Sequence, residues 1–284
     1  MPARESAPLG APIWIDLASG DTARAADFYS ALFGWTASEG RPEYGGYVTF
    51  SKDGSMIAGM MPNHPGSGFP DAWGTFFAVA DSGATVAAVE QNGGRVLVEP
   101  MTVDVQGTMA VFVDSTGTTF QTWQPDQNRG FGLSREHGTP AWHELVTRDY
   151  TAALDFYRTV LGWETRVESD TEDYRYTVHV ADGIDRSGIE DGSRDRAASG
   201  GAGDGVAGDG AAGDGGAGDG GAAAPAPWVV YFWADDVDAA VAVAVEHGGS
   251  VVDPPADSPY GRTATVADPT GARFSLLQTM PAEG

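Results

Sequence analysis

Two tryptophan–carboxylate pairs are the residues of this chain best suited to chemistry. Trp14 and Asp16 lie in Pro12-Ile-Trp-Ile-Asp-Leu17, and Trp142 and Glu144 in Pro140-Ala-Trp-His-Glu-Leu145. Side chains alternate across a strand, so in each pair the indole and the carboxylate share a face. A carboxylate beside an indole is poorly hydrated, which raises its pKa and fits it for general-base work. The same placement also suits a structural role, in which Asp16 and Glu144 hydrogen-bond neighbouring backbone or close the packing of a sheet. Tyr47 and Tyr176 recur at matching positions of a later strand. On the closing strands, Gln121 shares a face with Thr119 and Trp123, and Ser275 with Arg273 and Leu277. If Trp14 and Trp142 face inward, these residues line a ring-rich surface with Gln121, Ser275 and Arg273 as polar handles. Such a surface suits a bulky, flat, partly apolar molecule, each stacked ring adding roughly 0.5–1.5 kcal/mol beyond area burial.

The elements that position these residues come in duplicate. Asp27-Phe-Tyr and Leu32-Phe-Gly-Trp35 return as Asp155-Phe-Tyr and Leu161-Gly-Trp163, with Phe28 to Phe156 and Trp35 to Trp163 both offset by 128 residues. Trp73 to Trp228 and Gly93 to Gly248 are offset by 155, so one insertion of about 27 residues falls inside the second copy. Repetition on this scale predicts two similar modules with a site built between them. Each copy reads as two βαβββ units. The first opens with a strand at 13–17 and a helix over 21–33 that Gly34 ends, then short strands near 35–38, 46–50 and 56–60. The second opens with a strand at 73–79 and a helix over 82–91, then strands near 95–98, 109–113 and 118–123. The expected fold class is α+β: four βαβββ units in two tandem repeats, forming curved mixed sheets with outer helices. The boundaries read as a tail at 1–10, a first repeat at 11–127, a linker at 128–138 and a second repeat at 139–281.

Residues 190–227 interrupt the second repeat. Asp204, Asp209, Asp214 and Asp219 recur every five residues among glycine and alanine. A segment of that composition buries too little apolar surface to offset its ordering entropy, and is expected to be a disordered acidic loop. Calcium-binding rolls are also Gly/Asp-rich, but their period is nine and they interleave large apolar residues.

Composition narrows the function. Forty acidic against sixteen basic residues give a formal charge of −24, which repels nucleic acid and anionic lipid. The absence of cysteine removes disulfides, thiolate metal sites and thiol nucleophiles. The N-terminal stretch has no apolar core of signal-peptide length and no segment has membrane-span length, so the expected location is the cytoplasm. No Ser/His/Asp arrangement or phosphate-cradling glycine loop stands out.

The repeated strand, Asp-Phe-Tyr and Leu-x-Gly-Trp pattern, the Asn92-Gly-Gly94 step and Asp268-Pro-Thr-Gly271 resemble the vicinal oxygen chelate superfamily. That group includes glyoxalase I, extradiol dioxygenases and bleomycin-resistance proteins. The doubled Pro-x-Trp-x-(Asp/Glu)-Leu opening is similar to four-unit glyoxalase-like proteins of actinobacteria, some encoded beside anthracycline-type antibiotic pathways. The resemblance implies paired units forming a cup. Its enzymes hold a divalent metal through His and Glu on the first and last strands. Here those positions fall on Trp14, Trp142, Gln121 and Ser275, with apolar or small residues near 76–78 and 231–233 on the remaining first strands. Indoles are poor ligands for such ions, so no cofactor and no metal in the family manner are expected. His143 and His179 pair with apolar Ile15 and Phe50 in the first copy, which puts them on the helix side. The leading expectation is metal-independent binding of a bulky aromatic molecule in antibiotic biosynthesis or resistance, beside a partner oxygenase. The alternative is a glyoxalase-like lyase or isomerase, or a dioxygenase-type enzyme, with a divalent metal.

Overall fold

A computed structural model of the chain describes residues 7–67, 69–193 and 228–279. The first repeat contains β1 (Pro12–Ser19), α1 (Thr22–Phe33), β2 (Thr36–Ala37), β3 (Val48–Lys52) and β4 (Ser55–Pro62), then β5 (Ala72–Ala78), α2 (Ser82–Gln91), β6 (Arg95–Val103), β7 (Gly107–Val113) and β8 (Thr119–Pro125). The second contains β9 (Pro140–Thr147), α3 (Tyr150–Val160), β10 (Glu164–Asp170), β11 (Arg175–Ala181) and β12 (Ile184–Asp191), then β13 (Trp228–Trp233), α4 (Val237–Glu246), β14 (Ser250–Ser258), β15 (Gly261–Ala267) and β16 (Arg273–Gln278). The fold is the α+β arrangement of four βαβββ units expected from the repeats.

Local chemistry starts and stops these elements. Asp21, Asp81 and Asp236 each accept a backbone N–H in the first turn of α1, α2 and α4. Gly34 ends α1 at φ 70°, a left-handed conformation that costs glycine little.

Each repeat forms one eight-stranded mixed sheet, ordered β2-β3-β4-β1-β5-β8-β7-β6 in the first and β10-β11-β12-β9-β13-β16-β15-β14 in the second. The two units of a repeat therefore join through antiparallel pairing of β1 with β5, and of β9 with β13. Strand alternation gives each sheet a helix face, carrying Ile13, Ile15 and Leu17 in the first repeat, and an opposite concave face carrying Trp14 and Asp16.

The helix faces of the two repeats pack against each other. One core cluster joins the first unit to the fourth, with Phe28, Tyr29 and Trp35 against Phe232 and Phe274. The other joins the second unit to the third, with Phe77, Phe112 and Phe120 against Phe156, Tyr157 and Trp163. The helices stand on this face of their own sheet, each with one side buried and the other exposed. Expectation placed the site between two facing modules; what lies between them is core, because the apolar faces are the ones that must leave water.

The segment at 190–227 begins later than its composition suggests. β12 runs through Asp191, and Glu190 is buried on it. The rest of that expected loop, beyond residue 193, lies outside the described residues.

Candidate functional site

The concave faces of the two repeats use homologous residues differently. In the first, Trp14 Nε1 donates to Asp16 Oδ1 (2.9 Å) and to the Tyr47 hydroxyl (3.0 Å), and that hydroxyl donates to Asp16 Oδ1 (2.8 Å). Gly59 makes room for the triangle, since a Cβ there would lie 1.8 Å from the Tyr47 oxygen. Burial of the carboxylate outweighs these hydrogen bonds and pushes the Asp16 pKa up to about 6. The same burial, with the Asp16 charge beside it, raises Tyr47 well above the ordinary phenol value.

A lid of side chains then closes the first concave face. Phe131, from the linker between repeats, stacks on Trp14 with centroids 5.8 Å apart. Trp123 Nε1 donates to the Asn128 carbonyl (2.8 Å), which ties the linker across the closing strand. Trp14, Trp123 and Phe131 are all buried in one cluster, with Val103, Met109 and Leu133 packed against it. Gln121 lies over Gly74, where a Cβ would meet its amide at 2.5 Å.

In the second repeat the corresponding face opens into a cavity of about 1360 Å³. Trp142, Glu144, Tyr174, Tyr176, Tyr231, Trp233 and Tyr260 line it, together with Phe131 and Leu133 from the linker. Trp142 Nε1 donates to the Tyr176 hydroxyl (2.8 Å), as Trp14 does to Tyr47. The carboxylate has changed partner: Glu144 Oε2 accepts from the Tyr231 hydroxyl (2.6 Å). Tyr231 has no counterpart in the first repeat, where Phe76 occupies its position. Tyr174 and Tyr176 stack with centroids 5.8 Å apart and planes 12° from parallel, and Tyr260 lies 6.5 Å from Tyr176. Burial, followed by the charge of Glu144, holds the Tyr176 phenol well above its usual pKa; burial and the charge of Glu190 do the same for Tyr174.

Of the residues singled out in the sequence, the structure brings Trp142, Glu144 and Tyr176 to the cavity wall. Trp14, Asp16, Tyr47, Gln121 and Trp123 share the closed face of the first repeat. Ser275 is buried on β16, its hydroxyl 3.1 Å from that of Thr265, and Arg273 is exposed at the start of that strand; neither lines the cavity. Tyr231 and Trp233 were legible from alternation along β13, since Trp228, Val230 and Phe232 face the core. Tyr174 and Tyr260 sit outside strands, where no period marks them.

Of the histidines, His137 and His143 border the cavity and His179 does not. His143 is buried, with Nδ1 3.1 Å from the Thr75 hydroxyl of the other repeat. His179 stacks on Trp163 at 4.5 Å, and burial with the nearby Arg186 charge lowers its pKa to about 4. Among the described residues no group of three or more His, Asp or Glu side chains converges as a metal would require. The donor set at the family's ligand positions, two indoles, a glutamine and a serine, does not fit a hard or borderline divalent ion. No helix among the described residues is long and apolar enough to cross a membrane.

The family model of the glyoxalase/bleomycin resistance protein/dioxygenase superfamily matches residues 12–122 and 139–276. The chain belongs to that superfamily. It is 37% identical over 286 residues to the anthracycline biosynthesis protein DnrV of Streptomyces peucetius, covering 95% of this chain and 93% of the relative. It is 38% identical over 283 residues to the anthracycline biosynthesis protein DauV of Streptomyces sp. strain C5, with the same coverage. Among solved structures, the Mn(II)-bound glyoxalase from Novosphingobium aromaticivorans superposes with a TM-score of 0.61 at 14% identity, over 95% of this chain and 82% of that one. At that identity the superposition carries the fold and not the chemistry.

Proposed function

We propose that this protein binds a bulky aromatic small molecule, without a metal, in the cavity of its second repeat. The observation that carries the reading is the cavity itself. At about 1360 Å³ it exceeds the usual range of small-molecule pockets, about 300–1,000 Å³, and its walls set the rings of Phe131, Trp142, Tyr174, Tyr176, Tyr231, Trp233 and Tyr260 among polar and charged side chains. Flat polycyclic molecules gain contact area and stacking on such walls without needing a reacting group. The similarity of the chain to two anthracycline biosynthesis proteins supports a place in the making of, or resistance to, an aromatic antibiotic. The reading includes a cytoplasmic location and action beside a partner oxygenase.

Calorimetric titration with a polycyclic aromatic such as a hydroxyanthraquinone tests it. The expected result is saturable one-to-one binding that EDTA leaves unchanged. Trp142→Ala is expected to weaken binding at least tenfold while the far-UV spectrum stays that of the wild type. Binding abolished by chelator, or no binding to any flat polycyclic probe, overturns the reading.

A further inference from the structure

We propose that the cavity of the second repeat selects an amine-bearing, cationic aromatic ligand, with the ammonium group set against Glu144. This rests on the reading of that cavity as an aromatic-ligand site and adds the charge of the ligand to it.

Glu144 is a lining carboxylate that the protein orients and leaves without a counter-ion. Tyr231 fixes its Oε2 at 2.6 Å, and among the described residues no cationic side chain pairs with it. It is only 8% exposed, so its charge is poorly solvated, and an unpaired charge in that position is costly until a cation arrives. The first repeat shows the alternative. Asp16, one methylene shorter, folds back into hydrogen bonds with Trp14 and Tyr47, and its face is closed. In the second repeat Tyr176 keeps Trp142, while the longer Glu144 pairs with Tyr231 on the neighbouring strand instead.

The surroundings favour a cation over any other polar group. Trp142, Tyr174, Tyr176 and Tyr260 line the same cavity as the carboxylate, with Tyr174 and Tyr176 stacked, and aromatic faces attract ammonium ions. Burial first, and then the charges of Glu168, Glu144 and Glu190, raise the Tyr260 phenol above its usual value, against a lowering hydrogen bond with Tyr174. The cavity's own cations are turned elsewhere. Arg186 Nε donates to the Ala181 carbonyl, Arg135 is exposed, and His143 has its Nδ1 3.1 Å from the Thr75 hydroxyl of the first repeat. His137 accepts the Asp235 N–H at Nδ1 (3.3 Å), with Nε2 3.2 Å from the Leu32 carbonyl. A neutral or anionic aromatic would leave the Glu144 charge uncompensated.

Three probes of one shape separate charge from stacking: 9-(aminomethyl)anthracene, 9-(hydroxymethyl)anthracene and anthracene-9-carboxylate. Calorimetry at pH 7 is expected to show the amine binding at least tenfold tighter than the alcohol, and the carboxylate weakest. Glu144→Gln is expected to remove the preference for the amine over the alcohol. Glu99→Gln, an equal charge loss on the exposed part of β6, is expected to retain the preference. Tyr231→Phe frees the carboxylate without removing its charge, so the amine stays ahead of the alcohol even if Glu144→Gln fails to fold. Equal binding of all three probes overturns the proposal and leaves aromatic binding standing. A preference that survives Glu144→Gln, or falls equally in Glu99→Gln, assigns it to the net charge of the chain and also overturns it. Binding of none of the probes removes both readings.

Discussion

At the scale of single residues, the two carboxylates show how one methylene changes a site. Asp16 accepts hydrogen bonds from Trp14 and Tyr47, and its burial raises its pKa to about 6. The protonated form is then favoured in the folded chain. Its contribution to stability is full below the ordinary aspartate value of 3.8 and is lost as the pH rises through about 6. A shift of this size is worth about 2 kcal/mol once partial contact with solvent is allowed for. Asp16→Asn carries no such titration. Urea unfolding of the two proteins from pH 4 to pH 7 is expected to show the wild type losing about 2 kcal/mol relative to the variant over that window. Parallel pH profiles would mean that Asp16 ionises freely in the fold.

At the scale of elements, the Asp-Phe-Tyr and Asp-x-Thr-Gly motifs form a latch between repeats. Tyr29 on α1 donates to Asp268 Oδ2 (3.1 Å) of the fourth unit and accepts from Trp73 Nε1 (2.9 Å). Tyr157 on α3 makes the same bonds to Asp114 Oδ2 (2.9 Å) and Trp228 Nε1 (2.9 Å). The other oxygen of Asp114 accepts the N–H groups of Thr116 and Thr118, so each aspartate shapes its own turn while receiving a tyrosine from the opposite repeat. All of these phenols are buried. Tyr157→Phe strands an indole N–H and a carboxylate oxygen, at a cost of about 2–3 kcal/mol. Tyr29→Phe is expected to cost a similar amount, and the double variant the sum, because the two latches sit in separate clusters. Thermal and urea unfolding of the three variants check this, and a negligible loss in either single variant contradicts the latch.

At the scale of the molecule, neither repeat owns a complete core. The first unit packs on the fourth and the second on the third, so separating the repeats exposes Phe28, Tyr29, Phe77 and Phe112 together. Residues 1–133 expressed alone are expected to aggregate or self-associate, and co-expression with 134–284 to restore one stable species by size-exclusion chromatography. A monomeric, cooperatively folded 1–133 fragment would show that each repeat is independent. The linker that joins the repeats also divides their labour: Phe131 covers Trp14 on the first face and forms part of the wall of the second cavity.

The sequence by itself determined the four-unit architecture, because the Asp-Phe-Tyr, Gly-Trp and Asp-x-Thr-Gly landmarks recur in the same order in both copies and each has a local physical meaning as a helix face, helix stop or turn. It also placed Trp142, Glu144 and Tyr176 on one face, since strand alternation is a local property. Only the tertiary structure decided which of two near-identical faces is open. That choice depends on Phe131 and Trp123 filling one cup, and on Tyr231 in the other standing where the first repeat has Phe76. These are contacts between residues far apart in the chain, and periodicity carries no record of distances across a fold.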